Sequence, residues 1–360
     1  MNNTLLSAAA GLIMLGGLTH CAASDPASAG AAFALVPPAI AGALAAKKDS
    51  PRASAILKFA AESLNASPDP LPRIHLEGTL PHHGIYDQSN VAVADFKIMC
   101  DLAIAWRMTG DARYLDAVNA YLVAWTSVYQ ISLNPIDETN FDQFIVAYDL
   151  VKEALPDSTR QKVTLLLRNM AEGYAGAVVV KAGDAGNWQS HRIKLLTLSA
   201  FALGDEDLIG KAHAAFSQHL AANIRPDGSV YDFRLRDALH YVTYDLEPLT
   251  MACLAAKMHG QDWFNEGAPR SVAHAFDWLV PFVTGSQTHV EFVHSTIKFD
   301  KDRANAGIPD YIPHQWEPRA SVPLLTVVAA VDPAHQQLCE QTAAATRVHP
   351  TDWVVLIFWP

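Results

Sequence analysis

Past a short leader, the chain carries apolar residues at helical spacing almost throughout. Phe96, Met99, Ala103 and Trp106 stand three or four apart, as do Leu115, Val118, Leu122, Trp125 and Tyr129. Ile193, Leu196, Ala200 and Leu203 repeat the pattern, and so do Leu239, Val242, Leu246, Leu249 and Cys253. Each series lays one apolar stripe along a helix, because such spacings return to the same face. The breaks are regular too. Gly110-Asp111, Gly204-Asp205 and Gly260-Gln261-Asp262 each follow one helical run and precede another. Glycine accepts the left-handed turn that ends a helix, and aspartate caps the next. Leu155-Pro156-Asp157-Ser158 does a similar job. Connections this short force antiparallel αα-hairpins. The apolar run from Trp353 to Trp359 is the only segment that tempts a strand assignment.

Many hairpins in one chain must cover one another's apolar faces, as a solenoid or as a closed or nearly closed ring. No fixed-length repeat runs through the sequence, which disfavours the solenoid. The expected fold is all-α: an (α/α)n toroid, or incomplete α/α barrel, forming one domain from about residue 35 to 360. The stretch from Thr284 to Ala320 interrupts the helices and is rich in His, Asp, Arg and Pro. A loop that long inside a compact domain is often functional.

Composition agrees and narrows the partners. Half of the 360 residues are hydrophobic and 18% are charged, which suits a large core and excludes a disordered chain. Lys and Arg total 26 against 37 Asp and Glu, a net charge of -11 that argues against nucleic acid as a partner. Four cysteines without a CxxC pair make neither a disulfide scaffold nor a cysteine zinc site. The apolar segment Leu5 to Leu18 is shorter than the roughly 20 residues of a membrane span. With Ala22, Ala23 and Ser24 behind it, it reads as a signal peptide over residues 1–24, for a secreted or periplasmic product. Cys21 loosely resembles a lipid-attachment site, from which His20 departs. Without the leader, Cys100, Cys253 and Cys339 remain, enough for one intramolecular disulfide at most. Fifteen histidines are the unusual count.

Two segments concentrate chemistry. A helix is predicted to begin near Asn187, whose side chain can cap it. His191 and Lys194 then share a polar face with Asn187, away from the Ile193 and Leu196 stripe, at a helix N-terminus that suits an anion. Further on, the turn Arg225-Pro226-Asp227-Gly228 precedes Arg234, Arg236, Asp237, His240, Tyr241 and Tyr244. If helical from Asp237, Tyr241 and Tyr244 share a face with it, off the apolar stripe; Pro248 weakens the angle by kinking. Asn, His, Arg and Tyr without a metal cluster suit β-elimination from a uronate polymer. The C5 proton is weakly acidic until the neighbouring carboxylate is neutralised by Asn, Arg or cationic His. A base then reaches C5 and an acid protonates the leaving O4, roles that tyrosine fills when positive charge lowers its pKa. No cofactor is needed.

At these segments the sequence resembles the alginate lyase family of polysaccharide lyases, secreted α/α-toroid enzymes. The resemblance rests on Asn187-Trp188-Gln189-Ser190-His191-Arg192 and on the run from Arg236 to Leu249. Asn134 to Phe141 and Leu76 to Pro81 add to it, so it spans roughly residues 75–320. It implies that Asn187 and an arginine bind the uronate carboxylate. His191 would neutralise charge or serve as base, and Tyr241 would be the acid, or both acid and base. Trp188, Gln189 and Ser190 separate Asn187 from His191, whereas the family's Asn and His are adjacent. An apparent insertion at Asp237 shifts the arginine register, so Arg236 matches best while Arg234 remains a carboxylate binder. Trp188, Arg192, His240, Tyr244 and Asn140 complete the expected substrate-binding set. Asp137 and Glu138, beside Asn140, would repel a polyanion unless turned away. The expected partner is an acidic polysaccharide, alginate or a relative such as glucuronan, met by a monomer.

Three rivals remain. An α/α-barrel glycoside hydrolase needs paired carboxylates, and Asp137 or Glu138 with Asp237 can be nominated. A metal enzyme is suggested by histidine count, but His82-His83 and the His213–His219 spacing match no zinc motif. A non-catalytic toroid that binds acidic polysaccharide would form no unsaturated product.

Overall fold

The computed structural model describes residues 32–181 and 184–359. The expected leader and Cys21 lie outside the described residues. The helices are α1 (Pro38–Ala43), α2 (Pro51–Ser63), α3 (Tyr86–Thr109), α4 (Ala112–Val128) and α5 (Phe141–Val151). They continue with α6 (Asp157–Val180), α7 (Asn187–Leu203), α8 (Glu206–Asn223), α9 (Tyr231–Arg236) and α10 (Leu239–Met258). The chain ends with α11 (Val272–Val283), α12 (Lys298–Asn305), α13 (Val322–Val331), α14 (Gln336–Thr346) and α15 (Asp352–Phe358). Two short strands, β1 (Val290–Glu291) and β2 (His314–Gln315), pair antiparallel inside the Thr284–Ala320 stretch.

The predicted all-α toroid is what forms. Helices α3, α5, α7, α10 and α13 touch in succession as an inner ring, and α15 bridges α13 back to α3. Outside them, α4, α6, α8 and α14 pack as the hairpin partners. The two layers read differently in sequence. Fifteen of the seventeen residues of α7 are buried, against seven of eighteen in α8. An inner helix is covered on every side, so its polar residues must be satisfied inside the protein. Ser190 of α7 lies 2.5 Å from Asp245 Oδ1 of α10 and 2.8 Å from His219 Nε2 of α8. Asn223 donates to the other Asp245 oxygen at 2.6 Å, closing a buried polar knot between three helices.

Local signals placed the hairpins. Gly110 and Gly204 are left-handed, and the side chains of Asp111 and Asp205 accept from the first turns of α4 and α8. Gly260 is left-handed too, but Asp262 accepts from Asn265 instead of opening a helix. The next helix waits until Val272, capped by Ser271. The Trp353–Trp359 run is helical, not extended: α15 buries Trp353 to Ile357 against α13, α2 and α3. Cys100, Cys253 and Cys339 are buried and free. No helix among the described residues is long and apolar enough to cross a membrane.

Candidate active site

Helix α7 begins where expected, but Asn187 does not cap it. Asp232, at the start of α9, accepts from the backbone N and from the Nδ2 of Asn187, both at 2.7 Å. A carboxylate at a helix N-terminus also meets the favourable end of the helix dipole. The close approach needs Gly186, since a Cβ there would sit 2.9 Å from Asp232 Oδ2.

One turn on, His191 is buried. Its Nδ1 lies 2.8 Å from Thr139 Oγ1, and its ring packs on Tyr244 at 4.6 Å between centroids. Its Nε2 is buried and has no protein partner. Burial, with the charge of Lys194 adding to it, holds the imidazole well below its usual pKa, so it is neutral. Lys194 reaches Thr139 O and Oγ1 at 2.8 Å and Asp142 at 2.9 Å. His191, Lys194, Tyr244, Glu247 and Trp353 face a cavity of about 280 Å³ in the bore of the ring.

The second segment breaks at the apparent insertion. Asp237 is left-handed (φ 52°) and ends α9, so it does not share a helix with Tyr241. Its carbonyl accepts from Phe292 N and its carboxylate from His294 N, each at 2.8 Å. That tie brings the Thr284–Ala320 stretch over the site. Arg234, also on α9, is exposed, and no hydrogen bond or ion pair of its side chain is found among the described residues. Arg236 points inward. It pairs with Asp232 at 3.5 Å and with Asp300 of α12, and its guanidinium covers the Tyr241 ring at 3.9 Å.

Tyr241 and Tyr244 do share a face of α10, their rings 6.4 Å apart. The Tyr241 hydroxyl accepts from Arg303 of α12 at 3.2 Å and lies 3.3 Å from the Tyr311 hydroxyl. Burial raises the Tyr241 pKa, Tyr311 adds to this, and Arg236 opposes it. The expected lowering by arginine is therefore outweighed: Tyr241 is a protonated phenol. The ring of His240 meets Tyr241 edge-on at 5.2 Å, and its backbone N donates to Glu291.

Other nominated residues fall to either side. Asn140 lines the bore cavity beside Thr139. Arg192 is buried and points elsewhere, bonded to Asp184 and Gln189, with half-buried Trp188 at 5.5 Å from its guanidinium. Asp137 and Glu138 are fully buried. Asp137 accepts from Leu76 N and Glu77 N, and Glu138 from Tyr129, Ser132 and Tyr174. These acids are turned away from any substrate. Sequence reasoning reached Thr139 only as part of the loop from Asp137 to Asn140 and did not nominate Asp232, Asp300, Arg303 or Tyr311. The Thr284–Ala320 stretch was the one signal for the last three, through its length and composition.

The helical toroid thus holds a buried histidine and a buried tyrosine near the starts of two adjoining inner helices, with Arg236 and Arg303 beside the tyrosine. A family model described as alginate lyase matches residues 43–289, and the chain belongs to that family. Among solved structures, the chain is similar to an alginate lyase from Bacteroides ovatus, at 17% identity and a TM-score of 0.67. That match covers 92% of this chain and all (100%) of the other. Alginate lyase A1-III from Sphingomonas species A1 matches at 21% identity and a TM-score of 0.52, over 68% of this chain and 77% of its own. A variant of A1-III complexed with a tetrasaccharide matches at 19% identity and 0.52, over 70% and 80%. At these identities the structures carry the fold. No curated protein sequence matches the chain.

Proposed function

We propose that this lyase cleaves a polyuronate, alginate or a related chain such as glucuronan, by β-elimination at a site built on Asn187, His191 and Tyr241. The observation that supports the reading is a buried imidazole and a buried phenol on two adjoining inner helices, with the Tyr244 ring 4.6 Å from that of His191 and 6.4 Å from that of Tyr241. With Nδ1–H donated to Thr139, the His191 Nε2 holds a lone pair and accepts the C5 proton. The Tyr244 ring packs on the imidazole at 4.6 Å between centroids. The C5–H electron pair becomes the C4–C5 double bond, and the C4–O4 bond breaks. O4 leaves with the proton of Tyr241. Asn187 uses one amide hydrogen on Asp232 and keeps the other for the uronate carboxylate.

The hydrolase rival fails on geometry: the nominated Asp137 and Glu138 are spent on backbone and phenol donors, and Asp237 on His294. We place the enzyme outside the cytoplasm, secreted or periplasmic and monomeric, where such polymers occur. The test is incubation with a panel of polyuronates, read by ultraviolet absorbance and product mass. Unsaturated uronate ends are expected; products with a water added and no double bond would refute elimination.

A further inference from the structure

The cations around Tyr241 differ in what they already hold. Arg236 pairs with Asp232 and Asp300, and its guanidinium carbon lies over the phenol ring. Lys194 is engaged by Asp142 and Thr139, and Arg192 by Asp184. Arg303 has no carboxylate within ion-pair distance among the described residues, and its one side-chain hydrogen bond there goes to the Tyr241 hydroxyl. Its guanidinium carbon instead lies over two aromatic rings, 4.1 Å from the Phe299 ring centroid and 4.6 Å from that of Tyr311. A guanidinium has five N–H donors in a planar fork that fits a carboxylate with two parallel bonds. The two rings and the Tyr241 hydroxyl hold the group in place, while its remaining N–H donors have no protein acceptor among the described residues.

We infer that Arg303 is the cation that neutralises the uronate carboxylate, and that Arg236 is a positioning residue that fixes the Tyr241 ring. The inference rests on the elimination reading above. It follows from the substrate's own geometry: the carboxylate is borne by C5 and the leaving oxygen by C4, so their two partners must be neighbours. Arg303 stands 3.2 Å from the hydroxyl that would protonate O4. Arg236 lies over the ring face, 3.9 Å from its centre, and meeting a carboxylate would cost it the two it already holds. Arg303 also lies past residue 289, where the family match ends, so the carboxylate partner would come from the stretch that interrupts the helices.

The test compares Arg303→Ala and Arg236→Ala on a polyuronate and on its methyl ester, which carries no charge to neutralise. On the free acid, Arg303→Ala should lose about 10²–10³ in kcat, the usual cost of removing a donor from a developing anion. On the ester that deficit should shrink about tenfold or more, while the Arg236→Ala deficit stays the same on both. Added guanidinium ion should restore part of the Arg303→Ala rate on the free acid, with the thermal unfolding midpoint near that of the parent. Equal Arg303→Ala deficits on acid and ester, or no recovery with guanidinium, would overturn the assignment. So would an ester-dependent deficit in Arg236→Ala. A parent enzyme that makes no unsaturated product from any polyuronate sinks the elimination reading itself, a separate result.

Discussion

One carboxylate oxygen of Asp232 holds both the backbone N and the side-chain amide of Asn187, each at 2.7 Å. The other oxygen faces Arg236 at 3.5 Å, so one buried acid ties the start of α7 to the arginine that covers Tyr241. Removing it strands buried donors, at a cost of about 1–3 kcal/mol. Asp232→Ala should therefore lower the unfolding midpoint and reduce kcat by roughly tenfold or more through lost alignment. Gly186→Ala should do part of the same, since its Cβ would press on Asp232 Oδ2 from 2.9 Å. Parent-like turnover and melting in Gly186→Ala would remove Asp232 from this role.

Tyr241→Phe keeps the ring among Ala238, Phe292 and the Arg236 guanidinium and deletes only the hydroxyl. The fold should survive, as judged by circular dichroism and melting. Turnover should drop by about 10²–10⁴, the usual contribution of a positioned proton donor. A folded Tyr241→Phe enzyme working at close to the parent rate would end its assignment as the acid.

The pH profile follows from two shifts of opposite sense. His191 must be neutral to accept a proton, and its pKa lies well below the ordinary 6.5 because it is buried beside Lys194. Tyr241 must be protonated to donate, and burial raises its pKa above the ordinary 10. Activity requires a pH above the first value and below the second, so kcat/KM should be flat across neutrality. An acid limb centred near the ordinary histidine value, measured on an unchanged fold, would show that His191 is not the base in the state described.

How much of this the sequence disclosed depends on the range of each interaction. Gly110-Asp111 and Gly204-Asp205 were legible because a cap forms within a few residues. Asp262 has the same neighbours but bonds Asn265, and nothing in Gly260-Gln261-Asp262 announces that choice. The angular argument grouped Asn187, His191 and Lys194 on one polar face; His191 and Lys194 do line the bore cavity together, while Asn187 turns to Asp232, and all three are buried. An inner helix of a toroid buries polar faces as well as apolar ones. Arg303 and Tyr311 reach Tyr241 across 62 and 70 residues, and no local pattern encodes such a contact. The rough place was visible in the interruption of helical spacing; the residues were not.

The buried knot at Asp245 makes the last prediction. Burial, with the nearby Asp232 charge adding, raises the Asp245 pKa from 3.8 to about 7. The native state thus holds a proton between those values that the unfolded chain has released. Its stabilising contribution is complete below the unfolded value and is lost as pH rises through about 7. His219, whose pKa is lowered to about 3 mainly by burial, acts in the opposite sense, because the unfolded imidazole releases its proton as pH rises through 6.5. Both proteins carry it, so it cancels in a comparison with Asp245→Asn. Asp245→Asn retains the shape: its carbonyl can accept from Asn223 and its amide can donate to Ser190 Oγ, leaving the Ser190 hydroxyl for His219. The parent should lose more thermal stability than Asp245→Asn between pH 5 and pH 8, by at least ~3 °C in midpoint. Parallel midpoint curves for the two proteins would mean that Asp245 is not the group that carries a proton into the fold.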